Sequence, residues 1–316
     1  MATHTSKSVI YAALIGNGLI AVTKFVAAGL TGSAAMLSEA VHSVVDTGNQ
    51  MLLLFGIRSA ARPPSAQHPF GYGLQLYFYT CVVAVLIFGG GAAASFYTGL
   101  EKIQRPISIE DPWINYLVLG FSAVFEGAVW LVAFRAFNEE REGRPWLMAI
   151  RSSKDPTVFT VLFEDTAAMF GLLVAFIGIF LSEHLDMPIL DGIASMVIGA
   201  ILATTAFFLA NKSRSLLTGE AASHETRLGI NRIARAAPGV VGLNQARTMH
   251  FGPNDVFVAL SLDFEDSLPA SEVERTVTHI ERAIKAAHHD VTRVFIEAQS
   301  FDADRRGGEA KREEEL

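Results

Sequence analysis

The stretch ILDGIASMVIGAILATTAFFLA, residues 189–210, decides the fold class of this chain. Asp191 is its single charged residue, and the other residues are apolar, small or hydroxyl-bearing. A helix needs about 20 consecutive, mostly apolar residues to cross the hydrocarbon core of a bilayer. Residues 189–210 are therefore predicted to span a membrane.

Five more apolar runs precede this one, and together they predict an α-helical membrane domain with six transmembrane helices. The predicted spans cover residues 9–30, 34–57, 76–99, 113–137, 158–182 and 189–210. A soluble protein can bury helices of such length, but it has no reason to sort the charges of the intervening links by side of a membrane.

Those links alternate in basic residues. The side that holds the N-terminus carries Lys7, Arg58, Arg62, Arg141, Arg144, Arg151, Lys154, Lys212 and Arg214. The opposite side carries only Lys102 and Arg105. Lys and Arg accumulate in cytoplasmic links, so both termini are predicted to be cytoplasmic. We expect an integral multi-pass protein of a bacterial cytoplasmic membrane.

The composition excludes several other classes of protein. The formal net charge is −7 and no Lys/Arg-rich stripe occurs, which argues against nucleic-acid binding. The only cysteine, Cys81, lies in an apolar run, so an internal disulfide framework and a Cys-cluster metal site are excluded.

After Asn211 the chain becomes a mixed, charged sequence, which predicts a transmembrane domain over 1–211, a soluble domain over 212–300 and a disordered charged tail over 301–316. The soluble part has the pattern of an α+β unit. Its predicted elements are a helix at His224–Ala237, strands at Val241–His250 and Asp255–Phe264, a helix from an N-cap at Ser271 to Ala287, and a strand at Val291–Glu297. The unit is too small for an enzyme pocket and has no Gly-rich phosphate loop, so we predict dimerisation as its role, with no enzymatic activity and no prosthetic group.

The most informative polar residues lie inside the second predicted span, in SEAVHSVVDTGNQ, residues 38–50. His42 and Asp46 are four residues apart and therefore share one helix face. Ionisable groups inside a membrane are costly and commonly functional. An imidazole and a carboxylate supply half of a four-ligand zinc site. The alternative is that the two side chains only hydrogen-bond to each other or to a neighbouring helix.

A second acidic pair lies in the fifth predicted span, in VLFEDTAAMFG, residues 161–171. Glu164 and Asp165 are adjacent and point about 100° apart on a helix, so both can line a cavity while one points at its centre. Three other charged groups, Lys24, Glu126 and Asp191, are interpreted as structural ion pairs, with a functional role left open.

The stretch TGSAAMLSEAVHSVVDTGNQ, residues 31–50, resembles the second-span signature of the cation diffusion facilitator family. The resemblance runs from about Ser8 to Gln299 and includes TKF in the first span, QHPFGYG after the second, and APGVVGL and LDFEDSLP in the soluble part. QHPFGYG and the fifth-span motif resemble the zinc transporter 9 branch. The resemblance implies a homodimer with six helices per protomer, a cytoplasmic ferredoxin-like domain, and export of a divalent metal in exchange for protons.

The resemblance also implies a set of metal-binding residues. Members of the family take two ligands from the second span and two from the fifth, which here gives His42, Asp46 and Asp165. The fourth position, usually histidine, is Val161, and Glu164 is the expected replacement. One imidazole with carboxylates is a harder ligand set than that of a typical zinc exporter. Zinc is the first expected cargo, with manganese, iron or cobalt as alternatives.

Positions that hold auxiliary metals in many relatives are largely replaced here. In the loop after the second span His68 remains beside Ser65 and Tyr72, and in the soluble part the matching positions are Asn244, Ser261, Glu297 and Gln299. We therefore expect no binuclear site in the soluble part. These losses, with Val161, support the alternative of a membrane scaffold or regulatory protein with a lapsed transport site.

Overall fold

The computed structural model describes residues 3–141, 143 and 145–300. The described part of the chain divides into two compact units, one formed by the residues up to Ala61 with Gln75–Arg214 and the other by Arg62–Leu74 with the residues from Ser215 to 300. Arg144, one of the basic residues in the charge alternation, and the predicted disordered tail 301–316 lie outside the described residues. The predicted domain boundary at residue 211 stays a prediction.

All secondary-structure elements in the described part of the first unit are helices, joined by short turns and links. Its elements are α1 (Thr3–Thr31), α2 (Ala34–Ala60), α3 (Leu74–Leu86), a π-helical turn (Ile87–Ala92), α4 (Ala93–Gln104), α5 (Pro112–Glu140), α6 (Trp146–Ser152), α7 (Pro156–His184) and α8 (Ile189–Leu217). The short helix α6 was not predicted. Its Trp146 ring stacks on Phe134 with ring centroids 4.9 Å apart, so α6 is held by aromatic packing against α5.

Four helical stretches among the described residues are long and apolar enough to cross a membrane. They are Leu74–Gln104, Pro112–Glu139, Phe159–His184 and Ile189–Leu217. Helices α1 and α2 are of comparable length, and α2 carries the carboxylates Glu39 and Asp46. The chain is thus a helical membrane protein with at least these four apolar helices, and the six-span arrangement stays a prediction.

Close backbone approach is visible where glycines face each other. A Cβ atom on Gly99 of α4 would lie 2.6 Å from the carbonyl oxygen of Gly192 in α8, so neither position has room for a side chain. Small residues at such contacts let membrane helices pack backbone to backbone. In the turn between α1 and α2 the requirement for glycine is conformational, because Gly32 has a φ of +65°.

The second unit contains the predicted α+β elements. They are α9 (His224–Arg235), β1 (Val240–Gly252), β2 (Asp255–Phe264), α10 (Ala270–Ala287) and β3 (Val291–Ala298). Strand β2 is central, pairing antiparallel with β1 and parallel with β3. Both helices contribute to the core on this sheet, with Ile230 of α9 and Ile284 of α10 fully buried.

The predicted N-cap at Ser271 is wrong. Pro269 occupies that position, and α10 begins at Ala270. The backbone of Pro269 has φ −68° and ψ 148°, the extended geometry that a capping residue adopts. Ser271 lies inside the first turn, where its carbonyl oxygen accepts a hydrogen bond from Arg275 Nε at 3.2 Å.

The second unit also includes the loop 62–74. No sequence pattern indicated that this loop folds together with the soluble part of the chain. Phe70 stacks on Phe251 of β1 with centroids 5.1 Å apart, and its backbone oxygen accepts a hydrogen bond from Arg293 Nη2 of β3 at 3.1 Å. A Cβ atom on Gly73 would lie 2.1 Å from the carbonyl oxygen of Phe251, so the loop backbone touches the strand directly. The loop is therefore part of the folded second unit.

Candidate metal transport site

The imidazole and carboxylate of α2 lie side by side, as their spacing predicts. His42 Nδ1 is 3.4 Å from Asp46 Oδ1, and the His42 residue is 1% exposed. Both ring nitrogens of His42 and Asp46 Oδ1 are buried without a hydrogen-bond partner. Each unsatisfied buried polar group costs about 1–3 kcal/mol. The two side chains thus lie adjacent as an ion pair without a hydrogen bond between them, and their assignment as metal ligands stays a prediction.

The acidic pair on α7 diverges, as expected of adjacent helical residues. Glu164 is buried and its Oε1 accepts a hydrogen bond from Asn49 Nδ2 of α2 at 3.0 Å. Asp165 instead borders a small polar cavity, and its Oδ2 is buried without a partner. Asp165 therefore points towards the cavity and Glu164 towards α2.

The cavity has room for about one water molecule. It is lined by Asn17, Ser43, Asp46, Glu126, Val129, Asp165 and Ala168. Asp46 and Asp165 of the predicted set are thus brought to one place, and His42 adjoins it through Asp46. Glu164 is not among the lining residues.

Glu126 of α5 is a cavity residue that sequence reasoning did not assign to the site. Its Oε1 accepts a hydrogen bond from Lys24 Nζ at 2.8 Å, and its Oε2 is buried without a partner. The sequence marked Glu126 as a carboxylate inside a span, but spacing along one helix cannot show which neighbouring helix it faces.

The described residues do not form a preformed metal site with three or more His, Cys, Asp or Glu ligands. No group of three or more His, Cys, Asp and Glu in that part of the chain is positioned to hold a metal ion as it stands. The ligand set His42, Asp46, Glu164 and Asp165 therefore stays a prediction. What the structure contributes is the convergence of Asp46, Glu126 and Asp165 from three helices on one cavity.

Lys24 of α1 forms the ion pairs that were expected of it. It is fully buried, and its Nζ donates to Glu39 Oε2 at 3.0 Å, to Ser43 Oγ at 3.0 Å and to Glu126 Oε1 at 2.8 Å. The other oxygen of Glu39 lies close to α7, because a Cβ atom on Gly171 would be 2.3 Å from Glu39 Oε1.

Asp191 of α8 has the structural role expected of it. Its carboxylate accepts hydrogen bonds from the Ala34 and Ala35 backbone nitrogens at 2.6 and 3.2 Å, and from Ser33 Oγ at 2.7 Å. These donors stand at the N-terminus of α2, where helical N–H groups have no partner within the helix. Lys102 Nζ, 3.7 Å away, adds an ion pair.

Three of the four auxiliary positions of the soluble part, Asn244, Ser261 and Gln299, are joined by hydrogen bonds. Asn244 Nδ2 donates to the backbone oxygen of Gln299 at 2.7 Å and to Ser261 Oγ at 3.5 Å. Ser261 Oγ also donates to Gln299 Oε1 at 3.4 Å. Polar contacts thus link three of the positions at which the family resemblance implies metal ligands, and the absence of a binuclear site stays a prediction.

The loop positions behave in the same way. Ser65 Oγ and the Tyr72 hydroxyl are 3.0 Å apart, and the His68 ring packs against the Tyr72 ring with centroids 4.4 Å apart. The backbone of His68 closes the turn through reciprocal hydrogen bonds with Ser65 at 3.1 Å. His68 thus contributes its backbone and its ring to the packing of the loop.

Comparisons with known proteins agree with this architecture. The sequence profile of the cation efflux transmembrane domain matches residues 10–218, and that of the cation efflux protein cytoplasmic domain matches residues 222–300. The proton-coupled zinc antiporter SLC30A9, mitochondrial, of Homo sapiens is 30% identical over 93% of this chain and 48% of its own length.

Two further relatives come from a plant and a bacterium. Metal tolerance protein C4 of Arabidopsis thaliana is 30% identical over 83% of this chain and 58% of its own length. The cation-efflux pump FieF of Yersinia enterocolitica is 25% identical over 88% of this chain and 87% of its own length. The chain spans about half the length of the first curated relatives it matches.

Proposed function

Because this chain belongs to the cation efflux family, in the branch of the zinc transporter 9 type, we propose that it is a proton-coupled exporter of divalent metal cations. Zinc is the first proposed cargo, and manganese, iron or cobalt are the alternatives. The relatives are named as antiporters, pumps and tolerance proteins, which supports a transporter and not an enzyme.

The observation that carries the proposal is a set of buried polar atoms on two helices that have no hydrogen-bond partner. They are both ring nitrogens of His42, Asp46 Oδ1 on α2 and Asp165 Oδ2 on α7. Imidazole nitrogen and carboxylate oxygen are the donors that zinc and neighbouring divalent metals bind. We propose His42, Asp46, Glu164 and Asp165 as the cargo-binding residues, with Glu164 in place of the histidine missing at Val161.

The same residues give a physical reason for proton coupling. A metal binds imidazole only in its neutral form and carboxylate only in its ionised form, so cation and protons compete for the same atoms. Loading a cation therefore releases protons from the site, and its release allows protons to bind. A proton gradient across the membrane can thus drive the cation in the opposite direction.

The proposed arrangement in the membrane follows the sequence pattern. We propose six transmembrane helices over residues 1–211, with both termini on the cytoplasmic side. We also propose that the soluble domain, 212–300, joins two copies into a homodimer. Its match to the cytoplasmic-domain profile over residues 222–300 supports this division.

The test is zinc flux into proteoliposomes under an imposed pH gradient, with wild-type protein and the Asp46→Ala variant. We expect wild-type flux to depend on the gradient and Asp46→Ala to abolish it while leaving the oligomeric state unchanged. Asp266→Ala is the matched control, because this carboxylate is exposed in a turn of the second unit. Flux at the wild-type rate in Asp46→Ala would contradict the proposed site.

A second candidate function is a membrane scaffold or regulatory protein with a lapsed transport site. The absence of a preformed group of three metal ligands among the described residues favours it. It predicts a folded wild-type protein that shows no flux of zinc, manganese, iron or cobalt under any pH gradient. The same proteoliposome measurement therefore separates the two functions.

A further inference from the structure

The Lys24 ammonium is shared between two carboxylates, Glu39 and Glu126, and only Glu126 lines the cavity. Its Nζ uses three hydrogen bonds, to Glu39, Ser43 and Glu126. Of these partners, Ser43 and Glu126 line the cavity that also holds Asp46 and Asp165, whereas Glu39 is not a lining residue. The positive charge therefore lies immediately behind the cavity wall.

Glu126 connects this charge to the cavity. One carboxylate oxygen accepts from Lys24 at 2.8 Å, and the other is buried with no hydrogen-bond partner. Asp46 Oδ1 and Asp165 Oδ2 are also buried with no hydrogen-bond partner. Three carboxylates from α2, α5 and α7 thus bring oxygens without hydrogen-bond partners to one small space. His42 is almost fully buried, neither of its ring nitrogens makes a hydrogen bond, and its Nδ1 is 3.4 Å from Asp46 Oδ1.

We propose that Glu126 is a further cation-facing carboxylate of the transport cavity and that Lys24 is an internal counter-cation that limits how tightly the cavity binds its cargo. This inference rests on the proposed export function and adds two residues that lie outside the α2 and α7 ligand set.

The physical reason is competition between two positive charges for one carboxylate. In a poorly screened interior the attraction between charges a few ångströms apart is much stronger than in water. A divalent cation in the cavity is attracted by Glu126 and repelled by Lys24, so the ammonium lowers the affinity that Glu126 adds. A transport site must bind well enough to load and weakly enough to release, and a tethered cation provides that balance.

A purely structural role makes a different prediction. A buried ion triad between α1, α2 and α5 could serve only to join these helices, and removing one partner alone would leave an uncompensated buried charge. In that case the two carboxylates that contact Lys24 are equivalent as far as the cargo is concerned. The test therefore has to make the same substitution at Glu39 and at Glu126 and compare the zinc affinities of the two variants.

Two double variants do this. Lys24→Met/Glu126→Gln and Lys24→Met/Glu39→Gln each remove one ammonium and one carboxylate from the triad, so the net charge of the molecule is the same in both. Zinc chloride affinity is measured by calorimetry on the full chain in detergent, and KM and maximal rate by flux in proteoliposomes. Size-exclusion chromatography establishes that each variant is folded.

We expect Lys24→Met/Glu126→Gln to bind zinc about tenfold more weakly than Lys24→Met/Glu39→Gln, because both lack the ammonium and only the first loses a cavity carboxylate. Lys24→Met/Glu39→Gln should bind zinc about tenfold more tightly than wild type and turn over more slowly, because Glu126 is then uncompensated. Equal affinities in the two variants would overturn the inference and leave the triad a structural tie.

The single variant Glu126→Gln covers the case in which a double variant does not fold, since it keeps the Lys24–Glu39 pair. Weaker zinc binding is again expected, and wild-type affinity would contradict the inference. If the wild-type protein transports zinc and the two double variants have equal zinc affinities, this inference is refuted and the proposed function is not. Absence of both zinc binding and flux in the wild type would refute the proposed function and this inference with it.

Discussion

At the scale of single residues, Glu164 and Asn49 form the contact that most affects the proposed ligand set. Both are buried, and Asn49 donates to Glu164 Oε1 at 3.0 Å while its own Oδ1 has no partner. The contact joins α2 and α7 one turn away from Asp46 and next to Asp165. It fixes one oxygen of Glu164 and leaves the second to be tested as a ligand.

The variant Glu164→Gln removes the charge and keeps the hydrogen bond, because an amide oxygen still accepts from Asn49. If Glu164 binds the cargo, we expect zinc affinity to fall by at least about tenfold, which corresponds to about 1.4 kcal/mol. Fewer protons should then be released per zinc bound, since one carboxylate no longer exchanges a proton for the metal. Calorimetry in buffers of different ionisation enthalpy measures both quantities.

Adding Val161→His to Glu164→Gln supplies the missing imidazole. This double variant should keep transport, with selectivity shifted towards zinc over manganese, because imidazole is a softer ligand than carboxylate. Unchanged affinity and selectivity in Glu164→Gln alone would make Glu164 a structural partner of Asn49 and leave three protein ligands with water.

Sequence spacing is sufficient to place some of these residues and insufficient for others. His42 and Asp46 belong to one helix, so a separation of four residues is enough by itself to put them side by side. Glu126 and Lys24 are brought together by the packing of α5 against α1. A contact between residues so distant in the chain leaves no periodic signal, and the cavity role of Glu126 could not be predicted.

At the scale of elements, the N-terminus of α2 depends on a residue from another helix. Asp191 of α8 accepts hydrogen bonds from two backbone nitrogens of α2 and from the capping residue Ser33. A carboxylate at this end of a helix also interacts favourably with the helix dipole. The position of the helix that carries His42 and Asp46 is therefore set partly by α8.

We expect Asp191→Asn to destabilise the protein by about 1–3 kcal/mol, because the charge and one acceptor are lost in a buried place. Thermal unfolding in detergent measures the effect. Asp111→Asn is the matched control, since Asp111 stands at the start of α5 without a side-chain capping bond and with a φ of 42°, which Asn tolerates. Equal melting temperatures for the two variants would show that the Asp191 contacts are dispensable.

The third predicted span shows what apolar patterns miss about an element. The sequence predicts one continuous helix over 76–99, and the structure contains a π-helical turn at Ile87–Ala92 within it. Cβ atoms at Gly90 and Gly91 would lie 3.0 Å from Val45 and 3.1 Å from Leu202. The wider turn therefore occurs where the backbone is close to α2 and α8, and hydropathy along one run contains no information about that proximity.

At the scale of the whole molecule, the second unit is assembled from two separate stretches of chain. The change in composition after Asn211 predicted a separate α+β part, because charged residues are excluded from long apolar spans, and the structure contains helices and strands of this kind there. It could not indicate that 62–74 folds with that part, because the Phe70–Phe251 contact joins residues far apart in sequence.

An isolated domain over 219–299 is expected to dimerise without metal. Three of the four positions where the family resemblance implies metal ligands, Asn244, Ser261 and Gln299, are joined by hydrogen bonds instead, so we expect zinc to have no structural role there. Analytical ultracentrifugation with a chelator and with added zinc should show the same dimer. A monomer that pairs only when zinc is added would contradict the expectation.

That fragment lacks 62–74, so the rings of Phe251 and Phe257 lose their contact with Phe70. We expect the fragment to melt at a lower temperature than the same domain supplied with a peptide of residues 62–74. A Phe70→Ala peptide is the matched control. Equal melting temperatures with the two peptides would show that the Phe70 contact contributes nothing to the stability of the domain.

The same contact limits how this protein can be recombined with its relatives. A chimera that takes everything after residue 214 from another member would place a foreign sheet against the native Phe70 and Gly73. A graft that carries 62–74 together with 215–300 keeps the stacked rings and the Arg293 hydrogen bond intact. The second unit can therefore be exchanged only as a pair of segments, 62–74 and 215–300, and a chimera with a single junction does not transfer it whole.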